Sequence, residues 1–318
     1  MKLYRYYLSV ACVLLVLLSI TLSACGDTAA PTSVPETTTP KNNVTKETIV
    51  SVKTTAAETV PDETVTPNPL PKVTVIGSGG FAINSSAIDA SNSLIPQQYL
   101  DRARNLKILF NHQSVGYNVL EGLDALAQSN PDRYSLTTAD VEEPNWYLEN
   151  NGVGGFTRGE NEDPASKVAG FKELFDNEGY ADRVQVAMMK FCFVDNTASA
   201  SKIWETYRNG MNYLETKYPK VKFVWWTMPL MTDGNQIRDQ YNKLVRDYVK
   251  ANNKILFDIA DIESHEPSGK AVSDNNYLAL FNDYSSDGGH LNEQGSQRVA
   301  QAWWWLTARL TGWNGITK

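Results

Sequence analysis

Three side chains from two distant parts of the sequence have the types and surroundings that nucleophilic catalysis requires. Ser114 follows an apolar run and precedes a helical pattern, whereas Asp287 stands three positions before His290 near the start of the last helical pattern. At that spacing the carboxylate can hold the imidazole Nδ1–H, which leaves the other ring nitrogen free to take a proton from a hydroxyl. Because a hydroxyl needs such a base within hydrogen-bond reach, the three residues predict a Ser-His-Asp site.

Each of these signals also has an ordinary structural interpretation. A serine before a helix often caps it, and an Asp-x-x-His sequence occurs in surface turns. His112, two residues before Ser114, either lines the pocket or satisfies a buried carbonyl. A rival interpretation takes His112, Asp287 and His290 as ligands of a metal ion with an open position for water. No pair of histidines has the H-x-x-x-H spacing that would support it, so we predict no metal site and no cofactor.

The elements that must position these residues alternate between strand and helix patterns. The run 106–110 predicts a buried strand, and apolar residues at helical spacing follow it to position 126. The same alternation continues to the end of the chain, with strands predicted at 134–141, 184–194, 221–228 and 255–259 and helices between them. Such alternation predicts right-handed crossovers and helices on both faces of a parallel sheet. The predicted fold class is α/β, a flavodoxin-like three-layer α/β/α sandwich with a mainly parallel five-stranded sheet.

Two further segments have a predicted role near the site. The Gly- and Asn-rich segment 142–163 is predicted to be a long loop, and loops of that length in compact domains are usually functional. Its Trp146 and Tyr147 suit a wide groove lined for sugars. The run 303–305 is three tryptophans, which invites the same interpretation, but helical spacing places at least one of them in the core, and we predict packing roles.

The N-terminal part of the chain predicts export and a lipid anchor. Residues 1–25 have a basic head and an apolar middle, and they end in Leu-Ser-Ala-Cys, which resembles the lipobox of bacterial lipoproteins with Cys25 as the lipidated residue. An ordinary secretion signal or membrane anchor is the alternative. Residues 26–72 are rich in Thr and Pro and predict a disordered linker. The folded domain is predicted at 73–318, outside the cytoplasm and attached to the membrane through the lipid.

Composition narrows the range of partners. The chain has 318 residues and a net charge of -7, with no cluster of Lys and Arg, which argues against a nucleic-acid partner. Removal of Cys12 with the signal peptide and lipidation of Cys25 would leave Cys192 without a disulfide partner. We predict a core role for Cys192. The sequence does not specify the oligomeric state.

The order of these motifs resembles the SGNH (GDSL-like) hydrolase superfamily. In that family the nucleophile follows the first strand and Asp-x-x-His precedes the last helix, as Ser114 and Asp287-x-x-His290 do here. The stretch 150–157, Asn-Asn-Gly-Val-Gly-Gly-Phe-Thr, is similar to the family's second block. The resemblance implies that Gly155, as the last glycine of that block, donates its backbone N–H to the oxyanion of the reaction intermediate.

Two blocks depart from the family pattern. The residues before Ser114 are Asn-His-Gln rather than Gly-Asp, and the third block, which normally supplies an asparagine to the oxyanion, is replaced by 190–196, Lys-Phe-Cys-Phe-Val-Asp-Asn. Cys192 occupies the place of that asparagine, or Asn196 or the Lys190 ammonium substitutes for it; we favour Asn196 or Lys190. The alternative for Lys190 is a structural ion pair with an acid such as Asp195.

The resemblance implies a serine esterase that hydrolyses small acyl esters, with an acetylated polysaccharide as the preferred substrate. Two alternatives stay open. A glycan-binding lipoprotein of the same fold would have lost the chemistry, and an O-acyltransferase would move the acyl group to another hydroxyl.

Overall fold

The computed structural model describes residues 79–88, 94–141 and 146–315. The predicted signal peptide, Cys25 and the linker lie outside these residues, and they stay predictions. Within the described part of the chain, no helix has the length and apolarity needed to cross a membrane.

A parallel sheet of seven strands forms the middle layer of the described domain. Its spatial order is β1-β7-β6-β5-β2-β4-β3, and every neighbouring pair is parallel. The strands are β1 (Phe81–Ile83), β2 (Lys107–Asn111), β3 (Thr138–Asp140), β4 (Gly152–Phe156), β5 (Val186–Met189), β6 (Lys222–Trp226) and β7 (Ile255–Phe257). A two-stranded antiparallel hairpin, β8 (Ser273–Asp274) with β9 (Tyr277–Leu278), lies outside this sheet.

Helices cover both faces of the sheet. They are α1 (Gln97–Ala103), α2 (Val115–Ser129), α3 (Pro131–Tyr134), α4 (Trp146–Glu149), α5 (Pro164–Asp176), α6 (Ala200–Lys217), α7 (Gln236–Ala251), α8 (Ile259–Glu263) and α9 (Glu293–Leu310). Because strand side chains alternate between faces, Ile108 and Phe110 of β2 join the core under α2 and α9, whereas Leu109 joins the core under α5, α6 and α7. The predicted α/β/α sandwich is therefore confirmed.

The sheet has two strands more than the five predicted. One is the short edge strand β1, and the other is β4, which lies inside the segment predicted to be a loop. Glycine is needed in β4 for steric reasons: a Cβ on Gly154 would lie 2.3 Å from the Tyr147 hydroxyl, and a Cβ on Gly155 would lie 2.7 Å from His112 Nε2. The glycines of this segment, which predict a loop, are therefore the residues that let neighbouring side chains pack against a buried strand.

The tryptophans of α9 belong to the core, as predicted. Trp303 and Trp304 are fully buried and Trp305 nearly so. Trp303 packs against Phe110 of β2 and Trp226 of β6. The three tryptophans pack α9 against the sheet, and α9 in turn positions the loop that precedes it.

Candidate active site

The structure brings Ser114, His290 and Asp287 together at the carboxyl ends of the strands. The Ser114 Oγ lies 2.6 Å from His290 Nε2, and His290 Nδ1 lies 2.7 Å from Asp287 Oδ2. Ser114 follows β2, where the chain order reverses because β4 and β5 flank β2 on opposite sides. In open α/β sheets such a switch point forms the crevice in which ligands bind. The hydroxyl, imidazole and carboxylate form one hydrogen-bonded chain.

Ser114 has a strained backbone. Its φ of 54° and ψ of -115° place it in a region that residues other than glycine seldom occupy. The turn lifts the serine between β2 and the first residue of α2, and its side chain makes no capping hydrogen bond to that helix. The capping interpretation is therefore wrong. Strain of this kind at a nucleophile presents the hydroxyl at the end of the strand.

The loop 285–291 holds the acid and the base in register. Asp287 Oδ1 accepts hydrogen bonds from the backbone N–H groups of Gly289 and His290. The Ser285 hydroxyl donates to the His290 carbonyl at 2.6 Å, and Asn118 of α2 accepts from the Leu291 N–H. The dyad is thus tied both to its own loop and to the helix that carries Ser114 at its start.

These hydrogen bonds also set the charge of the acid. The backbone N–H of Gly289, followed by the side chain and backbone N–H of His290, holds the pKa of Asp287 well below its usual range. Asp287 is therefore a carboxylate at every pH at which the folded protein would be assayed, and it can stabilise an imidazolium at His290.

Phe193 fixes the other side of the imidazole. Its ring meets the His290 ring edge-on, with centroids 5.2 Å apart. A Cβ on Gly289 would lie 2.9 Å from the Phe193 ring, so only glycine fits there without a shift. The Phe193 carbonyl accepts a 2.7 Å hydrogen bond from the buried Arg238 Nε, which secures the segment that carries the ring.

The site is open to solvent. The side chains of His290 and Asp287 are 47% and 55% exposed, and Ser114 is partly exposed. Tyr117, three residues after Ser114, is 40% exposed. A substrate would therefore meet a shallow surface around the serine.

His112 lies beneath this surface. It is 2% exposed and packs between Phe110 and Tyr117, with ring centroids 4.7 and 4.8 Å away. Neither ring nitrogen has a hydrogen-bond partner among the described residues, so His112 does not satisfy a buried carbonyl. Burial, with a contribution from the charge of Lys190, lowers the pKa of His112 to about 3. Its role is that of a neutral aromatic ring under the nucleophile turn.

The predicted oxyanion donors have different positions. Gly155 lies inside β4 between Phe110 and Asp140, and its carbonyl accepts from Val141, so its backbone belongs to the sheet. Asn196 is partly exposed and makes no hydrogen bond to Ser114 or His290 among the described residues. Lys190 contacts the turn that carries Ser114, since its Nζ donates to the Gln113 carbonyl at 2.8 Å, and the Cys192 Sγ lies 3.4 Å from the same oxygen.

The alternative interpretation, an ion pair between Lys190 and Asp195, is not what the structure shows. Asp195 pairs with Lys167 of α5 at 2.6 Å, and both side chains are buried. The carboxylate also accepts from the backbone N–H groups of Cys192 and Glu162, so it joins the loops after β4 and β5. Cys192 is buried, as predicted, and is a free thiol.

Tyr147 does not line a sugar groove at this site. It is fully buried, and its hydroxyl donates to the Ile108 carbonyl at 2.6 Å. Trp146 packs edge-on against it. Helix α4 immediately precedes β4, so both residues approach the amino ends of the strands, opposite the edge that carries Ser114.

The described residues contain no group of three His, Cys, Asp or Glu side chains arranged to hold a metal ion. Both ring nitrogens of His290 face partners, Ser114 and Asp287. The geometry therefore does not support the rival metal interpretation of His112, His290 and Asp287.

Sequence reasoning missed several residues that position the site. Ser285, Asn118 and Phe193 act through tertiary contacts that no sequence motif predicts. Gly289, between Asp287 and His290, stands within the D-x-x-H motif, but the need for glycine there comes from the Phe193 ring, which the motif does not reveal.

Comparison with known proteins gives similarity of structure only. The chain matches no protein-family model. It also matches no curated protein. Among solved structures, it is similar to a protein assigned to the lipolytic G-D-S-L family from Desulfitobacterium hafniense, at 12% identity and a TM-score of 0.42 over 64% of this chain and 99% of that one.

Two other similar structures have esterase or lipase names. The Clostridium thermocellum family 3 carbohydrate esterase is 16% identical, with a TM-score of 0.40 over 65% of this chain and 96% of that one. The lipase/acylhydrolase from Enterococcus faecalis is 12% identical, with a TM-score of 0.40 over 64% and 94% of the two chains.

Proposed function

We propose that this chain is a serine ester hydrolase that uses Ser114, His290 and Asp287. The observation that carries the proposal is the unbroken hydrogen-bonded chain from the Ser114 hydroxyl through both nitrogens of His290 to the Asp287 carboxylate. The strained backbone of Ser114 supports it independently, since strain at a polar residue in a crevice is typical of a functional site.

The chemistry follows from the roles of the three side chains. His290 Nε2 takes the Ser114 proton as the Oγ attacks the ester carbonyl, and Asp287 stabilises the resulting imidazolium. The Ser114 N–H, which makes no hydrogen bond to the described residues, is free to bind the oxyanion. His290 then returns the proton to the leaving alcohol, and the same residues activate the water that releases the acid.

The open surface favours a small acyl group on a bulky alcohol. The half-exposed dyad and the exposed Tyr117 leave space for the alcohol to extend into solvent, as it would in an acetylated polysaccharide. The 47% exposure of the His290 side chain favours an open site over the enclosed tunnel that a long acyl group would need. The proposed substrates are therefore small acyl esters, acetyl esters of carbohydrates among them.

The test compares the wild-type protein with Ser114→Ala and with the exposed control Ser268→Ala. Wild type and control should hydrolyse p-nitrophenyl acetate, release acetate from acetylated polysaccharide and be labelled by a fluorophosphonate, whereas Ser114→Ala should do none of these. Equal turnover by Ser114→Ala would contradict the proposal. Glycan binding without turnover or labelling would identify the silent glycan-binding protein, and turnover that required an added alcohol would identify a transferase.

The proposed location is the outer face of the bacterial cell membrane, with Cys25 lipidated and residues 26–72 as a tether. This rests on the basic head, the apolar stretch and the Leu-Ser-Ala-Cys sequence. Cys25→Ala should block incorporation of a clickable fatty acid and release the protein from membranes. A membrane-bound, unlabelled Cys25→Ala protein would contradict lipid anchoring.

A further inference from the structure

The Gln113 carbonyl, one residue before Ser114, accepts from three donors, two of which belong to the segment after β5. Lys190 Nζ lies 2.8 Å from it, the Gly116 N–H 3.0 Å and the Cys192 Sγ 3.4 Å. The Gln113 side chain also donates to the Gly159 carbonyl, which fixes the same turn from the side. The peptide that joins Gln113 to Ser114 is therefore more strongly constrained on its oxygen side than an ordinary turn.

Lys190 is an unusual partner for that carbonyl. The side chain is 1% exposed, and no carboxylate among the described residues lies within ion-pair distance of its Nζ. Its other contacts are weak ones to the Phe191 carbonyl at 3.4 Å and the Cys192 Sγ at 3.7 Å. Burial lowers the pKa of Lys190, because removing an ammonium from water is costly. The 2.8 Å hydrogen bond to the Gln113 carbonyl is therefore the main polar contact that offsets the burial of this amino group.

The planarity of the peptide links the contact of Lys190 with the Gln113 oxygen to the direction of the Ser114 N–H. A trans peptide is planar, so its C=O and N–H point in opposite directions. A donor that holds the Gln113 oxygen from below thus directs the Ser114 N–H away from the core, on the side where the hydroxyl meets His290. A hydrogen bond to the oxygen also polarises the amide and makes its N–H a stronger donor.

We propose that Lys190 is a positioning residue that aims and strengthens the Ser114 N–H as the oxyanion donor, through the Gln113–Ser114 peptide. This rests on the proposed function. Lys190 does not touch substrate, since it is buried beneath the turn. It would supply from below some of the stabilisation that the site lacks because Gly155 and Asn196 are placed elsewhere.

The test uses Lys190→Met, which keeps the length of the side chain and removes the donor. Lys167→Met is the matched control, because Lys167 is a second buried lysine that has no contact with Gln113. Each folded variant is titrated to completion with a fluorophosphonate, and p-nitrophenyl acetate kinetics are expressed per titrated site. Inhibition by an aryl trifluoromethyl ketone, which forms an anionic adduct with the serine, is measured in parallel.

Lys190→Met should lower kcat at least about tenfold with little change in KM, because an oxyanion donor acts mainly in the transition state and is worth roughly 100- to 1000-fold when removed outright. The inhibition constant of the ketone should rise by the same factor as kcat/KM falls. Lys167→Met should change thermal stability but leave the rate per titrated site within about twofold. A purely structural role for Lys190 would reduce the number of titrated sites without changing the rate at each.

Three results would overturn the inference while leaving the proposed function intact: an unchanged rate per site in Lys190→Met, an equal rate loss in both lysine variants, or a rise in KM alone. A wild-type protein that neither turns over the ester nor reacts with the fluorophosphonate would instead overturn the proposed function, and this inference with it.

Discussion

The Ser114 hydroxyl and the His290 imidazole lie 2.6 Å apart although 176 positions separate them in the chain. The core contacts between α2 and α9 account for this proximity, because Ser114 stands at the start of α2 and His290 stands three residues before α9. The sheet and its tryptophan-rich core thereby determine the relative position of nucleophile and base.

Replacing the acid tests whether it sets the imidazole tautomer. Asp287→Asn keeps the size of the side chain, but its amide group can donate towards His290 Nδ1 and favour the wrong tautomer. We expect kcat for p-nitrophenyl acetate to fall by roughly 1000- to 10,000-fold. Since the pKa of Asp287 lies well below its usual range, the wild-type rate should show no loss from titration of this group between pH 5 and 9. A loss smaller than tenfold would argue against a role for Asp287 in orienting the base.

Gly289 tests the packing of the imidazole against Phe193. A Cβ at this position would lie 2.9 Å from the ring, so Gly289→Ala must displace either the ring or the loop that carries His290. We expect at least a tenfold loss of kcat in a folded protein. Combining it with Phe193→Leu, which makes room, should restore part of the rate, so that the two effects are not additive. Strictly additive losses would show that the two residues do not interact.

Stability at acid pH should depend on His112. Its pKa is about 3 in the folded protein, against about 6.5 when unfolded, so between these values the unfolded chain binds a proton that the native state does not. The free energy of unfolding therefore falls as pH decreases through this window, by up to ~1.4 kcal/mol per pH unit.

His112→Phe should remove this acid sensitivity. The ring nitrogens have no hydrogen-bond partners to lose, and phenylalanine can stack on Phe110 in the same way. Urea unfolding at pH 5 and 7 would measure the effect, with the variant more stable than wild type by ~2 kcal/mol at pH 5. His265→Gln should keep the wild-type slope. An unchanged slope in His112→Phe would contradict the assignment.

Glu263 should have the opposite effect at higher pH. Burial raises the pKa of this 1%-exposed carboxyl to about 8, although its hydrogen bond from Leu230 N–H and the nearby Lys190 partly oppose the shift. Between about pH 4.5 and 8 the native state holds a proton that the unfolded chain releases, so stability falls as pH rises through this range.

Glu263→Gln removes the titrating group but keeps an oxygen that can accept from Leu230. The variant should gain stability over wild type as pH rises from 5 to 8, measured by urea unfolding at each pH. Glu173→Gln, an exposed control on α5, should follow the wild-type curve. Parallel curves for Glu263→Gln and wild type would show that the buried carboxyl is ionised throughout.

The sequence predicted the features that depend on local pattern. The apolar periodicity predicted β2, β5, β6 and β7 and the helices after them, because each element carries its own burial pattern along the chain. The D-x-x-H spacing predicted the acid and base because their hydrogen bond closes within one turn.

The features that the sequence did not predict depend on residues that are distant in the chain and meet only in the fold. Three of the five residues of β4 are glycines, which are typical of loops, and two of them leave room for Tyr147 and His112. The partner of Asp195 is Lys167, 28 positions earlier in the chain, and this pair depends on the packing of α5 against the loop after β5. Gly155 matched a motif, yet pairing with β2 and β3 occupies its backbone.

The left-handed conformation of Ser114 has one more consequence, for how this protein would change if selection for activity were relaxed. A φ of 54° with a ψ of -115° costs a serine on the order of 1–3 kcal/mol but is accessible to glycine. Replacement of Ser114 by glycine would therefore stabilise the fold while removing the hydroxyl. The proposed role of the hydroxyl would account for a serine at this position, against the preference of its own backbone.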